Sequence, residues 1–197
     1  LEGLISFIAA GIALIGSPGP ATLSIAATGA AFGARQGLRF YGGILIGTTI
    51  VMGLVAAGVV GLLLALPGVA PAMTLLAGAY FLYLAWRIAT APALAEHDTT
   101  RRPPSFAGGI FLSLVNPKAY AAMAALFSGF VLIGEAVVLD AAAKMAVLIA
   151  IVGTLDIGWL FAGAALTRWF RNPVASRLIN VTFAVLLVAS LALVLAI

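Results

Sequence analysis

Two proline groups interrupt apolar stretches long enough to cross a membrane: Ser17-Pro18-Gly19-Pro20 and Asn116-Pro117-Lys118. Proline inside a helix removes a backbone donor, and its ring clashes with the carbonyl one turn earlier. In hydrocarbon the freed backbone groups have no water to turn to. Such a break therefore persists only against protein or a wet cavity. Two breaks at corresponding places in two halves of a chain are a sequence pointer to a transport site. The composition agrees, with 64% hydrophobic and 8% charged residues, against about a quarter charged in soluble domains. The chain reads as an all-α membrane protein with the lipid bilayer as its solvent.

A spanning helix needs about 20 apolar residues. Six segments qualify: residues 4–28, 40–66, 70–86, 106–132, 137–166 and 174–197. Gly29 to Gly37 reads as the link between the first two, and Leu66-Pro67-Gly68 as a tight hairpin before the third, with Pro71 in that span's first turn. The sizeable polar stretch is residues 91–105, with Glu96, His97, Asp98, Arg101 and Arg102. It divides a first three-helix unit, residues 1–90, from a second, residues 106–197. The N-terminal apolar run reads as a helix that stays and not a signal peptide. Glu2 stands where a basic region belongs, and apolar sequence resumes after the prolines. The first residue is not Met, so a few residues or a processed end are expected to be missing.

Basic residues set the expected orientation. Arg35 and Arg39 follow span 1, Arg87, Arg101 and Arg102 follow span 3, and Arg168, Arg171 and Arg177 follow span 5. The 2–3 connection is uncharged, and the 4–5 connection carries Glu135 and Asp140. Lys/Arg excess marks the cytoplasmic side, which puts both termini on the outer face of a multi-pass membrane protein. Lys144 alone runs against this pattern. The net charge of +4 thus reports orientation and gives no reason to expect nucleic acid as a partner.

An odd number of helices per half makes the halves insert with opposite orientation. Superposing Pro18 on Pro117 brings Ser17 onto Asn116 and Gly19 onto Lys118, and Gly47-Thr48 faintly echoes Gly153-Thr154. The expected fold is six transmembrane helices arranged as two inverted three-helix repeats, with helices 1 and 4 broken.

The candidate substrate-binding residues are Ser17, Pro18, Gly19, Pro20, Asn116, Pro117 and Lys118. Pro18-Gly19-Pro20 cannot continue a regular helix and would offer bare backbone groups to a substrate; its bland reading is a packed kink. Lys118 lies well inside an apolar span, where a cation costs a few kcal/mol. It binds a substrate carboxylate, pairs with Asp156, or snorkels to an interface several turns away. Asp156, the acid in the apolar part of span 5, reads as a proton carrier, a receptor for a substrate ammonium, or a fixed partner of Lys118. Ser17, Thr22, Ser24, Thr48, Thr49, Ser113 and Thr154 could add hydrogen bonds, though most such side chains bond a preceding carbonyl. Gly43-x-x-x-Gly47 allows close helix approach. Tyr80, Tyr83, Trp86, Trp159 and Trp169 suit interface anchoring where they lie near span ends. With no cysteine and His97 as the single histidine, neither disulfides nor imidazole or thiolate metal sites are expected, and no cofactor is implied.

Four groups of residues carry a family resemblance: Pro18-Gly19-Pro20, then Gly78-Ala79-Tyr80-Phe81-Leu82-Tyr83-Leu84, then Phe106-x-x-Gly109 leading to Asn116-Pro117-Lys118-Ala119, and Asp156-x-x-Trp159. In order and spacing they resemble the LysE/RhtB amino-acid exporters over nearly the full length. The resemblance implies a secondary-active exporter of the bacterial inner membrane, its termini then periplasmic or extracellular, that takes a small amino acid or related zwitterion and exchanges it for protons, with both proline groups beside the substrate path. Two departures stand out. Ala21 occupies a position where members often carry Asp or Asn, and Ala184 or its neighbours replace a glycine of the sixth span.

The leading expectation is proton antiport, with Asp156 exchanging a proton for the substrate ammonium and Lys118 holding the carboxylate. Metal or inorganic-ion efflux is a second transport reading, poorly served by one intramembrane acid and a linker histidine. An integral membrane enzyme is the alternative from another class; a Ser113/Lys118 or Ser17/Lys118 pair would be a thin catalytic set. A homodimer through glycine-rich faces is possible on this reading but not required.

Overall fold

The computed structural model describes residues 2–58, 68, 72, 75, 78–79, 82–83, 85–86, 89–90, 103–134, 136–165 and 173–195. Most of the third span and of the polar linker, including Tyr80, His97, Arg101 and Arg102, lies outside the described residues. So do Pro67, Pro71, Glu135, Arg168, Trp169 and Arg171.

Among the described residues seven helices follow in order: α1 Glu2–Gly16, α2 Pro20–Phe32, α3 Ala34–Ala56, α4 Phe106–Leu114, α5 Pro117–Gly129, α6 Val137–Ala165 and α7 Pro173–Leu195. The two proline groups break their spans as expected. The bend between α1 and α2 is 60°, and that between α4 and α5 is 61°. Pro20 and Pro117 each occupy the first turn of the helix after the break, where a missing N–H costs nothing. By helix position Pro20, rather than Pro18, is thus the counterpart of Pro117, with Gly19 and Asn116 as the N-caps. Among the described residues, α3 and α6 are long and apolar enough to cross a membrane unbroken, and the bent pairs raise the spans to as many as four.

Gly29 to Gly37 does not form the expected link. α2 runs to Phe32 and α3 starts at Ala34, leaving Gly33, at φ 79°, as the turn. The other glycines there serve packing. A side chain at Gly29 would overlap the Leu160 carbonyl oxygen, and one at Gly37 would overlap the Leu160 side chain.

Packing crosses between the halves. α1 and α2 lie along α6, α4 and α5 lie along α3, and α3 and α6 meet each other. Glycine makes both main seams possible, because lipid offers no hydrophobic drive between helices and contact must come from close fit. On the α3–α4 seam a Cβ at Gly43 would strike the Phe106 carbonyl, and one at Gly109 the Phe40 carbonyl. On the α2–α6 seam a Cβ at Gly163 would strike the Ala26 carbonyl. The Gly43/Gly47 pair thus packs within the chain.

Two apolar clusters result. One gathers Phe40, Ile44, Leu112 and Leu160 around α2 and α4. The other gathers Phe7, Met52, Met123, Leu126 and Leu148 around α1 and α5, with Phe7 edge-on to Phe130 at 5.4 Å. The breaks fall between them.

Lys144, the exception to the charge pattern, is 3% exposed. Its ammonium pairs with Asp140 at 2.6 Å and donates to the Phe127 carbonyl at 2.9 Å. Asp140 also accepts the amides of Leu132 and Ile133, at 2.6 and 2.8 Å. The lysine is a neutralised tie between α5 and α6, so it carries no free charge for the orientation rule to count.

The seams yield a contrast. Gly43→Ala should lower the thermal midpoint of detergent-solubilised protein by several degrees, since overpacking a tight contact costs about 1–3 kcal/mol. Gly42→Ala, whose Cβ would meet only the Phe106 ring at 3.6 Å, should melt like the parent.

Candidate functional site

A broken helix leaves carbonyls before the break and amides after it without their usual partners. At the first break the Ser17 hydroxyl donates to the Leu14 carbonyl at 2.9 Å. The Gly19 amide donates to the Thr22 hydroxyl at 2.8 Å, which in turn donates to the Gly19 carbonyl at 3.1 Å. At the second break the rung from Lys118 N–H to the Leu114 carbonyl is lost. Asn116 Oδ1 accepts the Lys118 amide instead, at 3.1 Å, and the Tyr120 hydroxyl donates to Leu114 at 2.9 Å.

The two breaks are joined by one side chain. Lys118 Nζ donates to the Ser17 carbonyl at 2.6 Å and to Ser17 Oγ at 2.8 Å. The ammonium thus sits on the C-terminus of α1, the negative end of that helix's dipole. Gly19 makes room for it. A Cβ there would lie 2.8 Å from both Lys118 Cδ and Nζ. Gly19 has φ −164° and ψ −179°, an extended conformation open to any residue, so the glycine is required by the lysine and not by the backbone.

Between the breaks lies a cavity of about 50 Å³. Gly19, Asn116, Lys118 and Asp156 line it, together with Thr22 and Thr48. Ser17, Pro18, Pro20 and Pro117 do not line it; they shape the breaks, and Ser17 and Pro18 are exposed. Asp156 is 3% exposed and stands on α6 between Val152 of one apolar cluster and Leu160 of the other. The expected alternative of a fixed Lys118–Asp156 salt bridge is not realised. Among the described residues no ion pair joins them, and the lysine's recorded partner is Ser17. A cation and a carboxyl thus face one small space without neutralising each other directly.

The small polar residues divide. Thr28 and Thr49 bond their own preceding carbonyls, Ser24 and Leu45. Thr154 is exposed while Thr48 is buried, so the Gly47-Thr48/Gly153-Thr154 echo does not mark equivalent surroundings. Tyr120 is the site residue that sequence reasoning passed over; its signal was a phenol three residues after a break whose carbonyls needed a donor. Ala21 also lines the cavity, so the departure from the Asp or Asn expected there leaves a less polar wall. Ala184 is buried in the cluster with Leu23 and Ile25. Among the described residues no three of His, Cys, Asp and Glu come together to hold a metal ion.

The family described as LysE type translocator matches residues 12–197. Cysteine/O-acetylserine efflux proteins of Salmonella choleraesuis (strain SC-B67), Salmonella typhimurium (strain LT2) and Escherichia coli (strain K12) are each 32% identical over 173 residues, covering 87% of this chain and 87% of theirs. No solved structure matches.

Gly19→Ala should leave the protein folded, because the clash falls on the far end of a flexible side chain. It should push Lys118 off Ser17 and lower the KM for transport several-fold, because a ligand no longer has to displace Ser17 from the ammonium; wild-type kinetics in reconstituted vesicles would show that the contact does not matter.

Proposed function

Because this chain belongs to the LysE-type translocator family, as a multi-pass membrane transporter of a bacterial exporter family and not an enzyme, we propose that it exports a small amino acid of the cysteine/O-acetylserine class by proton antiport. The observation that carries the reading is the juxtaposition of Lys118 and Asp156 on one cavity between two broken helices. A zwitterion carries the complementary pair of charges. Its carboxylate would take Lys118 and the first turn of α2, where the Ala21 and Thr22 amides have no acceptor within the helix. Its ammonium would take Asp156.

Proton coupling follows from competition. A carboxyl group can hold a proton or an ammonium ion in this space but not both, so on the outer side the substrate would leave Asp156 as a proton arrives, and on the inner side the proton would leave as the next substrate binds. The cavity of about 50 Å³ has room for roughly four waters, less than an amino acid. Binding therefore opens it, and the halves rock about the α3–α6 contact. Two inverted repeats, residues 1–90 and 106–197 around the 91–105 linker, suit this motion. The near-equal bends of 60° and 61° and the crossed packing of each broken helix on the other half's straight helix support that description. The arginines after spans 1, 3 and 5 support termini on the outer face.

Proteoliposomes loaded with O-acetyl-L-serine or L-cysteine test the mechanism. Lys118→Ala should cut export at least about tenfold, the loss expected for one buried charge-assisted hydrogen bond. Asp156→Asn should abolish the response to an imposed pH gradient. Wild-type behaviour of both variants would overturn the assignment.

A further inference from the structure

Thr48 lines the cavity, yet the mechanism above gives it no task. Its hydrogen bonding differs from that of Thr28 and Thr49. Thr28 and Thr49 donate to the carbonyl four residues back, at 2.7 and 2.8 Å, the usual habit of a helical threonine. For Thr48 that carbonyl belongs to Ile44, and Ser113 of α4 already donates to it at 3.0 Å. A carbonyl only accepts, so the Ser113 proton is committed there. The Ser113 oxygen then receives the Thr48 proton, at 3.2 Å.

This chain has a direction. The Thr48 proton points into the α3–α4 seam, and its oxygen keeps lone pairs that this chain does not use. Gly47 builds the arrangement, since a Cβ there would lie 2.7 Å from Ser113 Cβ and force the serine out. The position matches too. Thr48 falls on α3 between Ile44 of one apolar cluster and Val51 and Met52 of the other, the level that Asp156 holds on α6. The two straight helices thus present one acceptor each at the same depth.

We infer that Thr48 Oγ1 accepts a hydrogen bond from the substrate's ammonium group, alongside Asp156, with Ser113 as the residue that positions it. The inference rests on the zwitterion reading given above. An acceptor whose own proton is turned away favours a ligand donor and offers nothing to a carboxylate, so Thr48 belongs to the ammonium end and Lys118 to the other.

Export kinetics for L-cysteine in proteoliposomes provide the test. Thr48→Val keeps the side-chain shape and removes the acceptor; Ser113 keeps its bond to Ile44. KM should rise about 10- to 100-fold, as for a lost hydrogen bond to a charged group, with the maximal rate near that of the parent. Thr48→Ser should restore KM to within a few-fold. Inhibition by 3-mercaptopropionate, which lacks the ammonium, should be the same for the parent and Thr48→Val. Thr48→Ala serves the same purpose should the valine not yield monodisperse protein. An unchanged KM in an active transporter overturns the role of Thr48 alone. An equal loss of mercaptopropionate inhibition overturns the ammonium contact. Failure of the parent to transport any amino acid of a panel removes the zwitterion reading, and this inference with it.

Discussion

The structure depends on finding partners for backbone groups that two broken helices leave open in an apolar medium. Each unpaired carbonyl or amide there costs several kcal/mol, so the breaks persist only where side chains repair them. The repairs come from nearby in sequence at Leu14, Gly19, Leu114 and Lys118 N–H, through Ser17, Thr22, Tyr120 and Asn116. One comes from across the chain, where Lys118 reaches Ser17. That last repair has to be held in place by everything around it. The two apolar clusters on either side of the breaks and the glycine seams between helices keep both breaks at one level.

The seams also explain how a chain with 22 glycines holds a defined shape. Glycine weakens a helix by about 1 kcal/mol relative to alanine. At Gly29, Gly43, Gly109 and Gly163 the absent side chain lets a neighbouring carbonyl come within contact. The loss in local propensity is offset by backbone-to-backbone packing that no larger residue permits.

Much of the architecture was legible in the sequence because prolines and long apolar runs have few structural options in a bilayer. The two breaks, the membrane class and the boundaries of α6 follow from these alone. The candidate site was legible in outline, since a lysine and an aspartate deep in apolar spans are costly without a use. The details were less so. Glycine in Gly29 to Gly37 looks the same in a loop as in a tight seam, and only the identity of the opposing carbonyl separates them. Lys144 reads as a stray charge until Asp140, one helical turn earlier, is seen to accept from its ammonium. The partner of Lys118 could not be read at all, because a backbone carbonyl leaves no mark in a sequence. Asp156 was the visible candidate, and Ser17 is the one the ammonium holds.

The Lys118–Ser17 bridge makes the protein carry its own competitor. Were Lys118 to bind a substrate carboxylate, as proposed above, that group would have to displace a carbonyl and a hydroxyl already seated on the ammonium, so part of its intrinsic affinity would go to freeing the lysine. Apparent affinity falls by the fraction of time the lysine is free. For an exporter this sets a threshold. On the reading proposed above, a small substrate pool would leave the bridge closed and a surplus would open it.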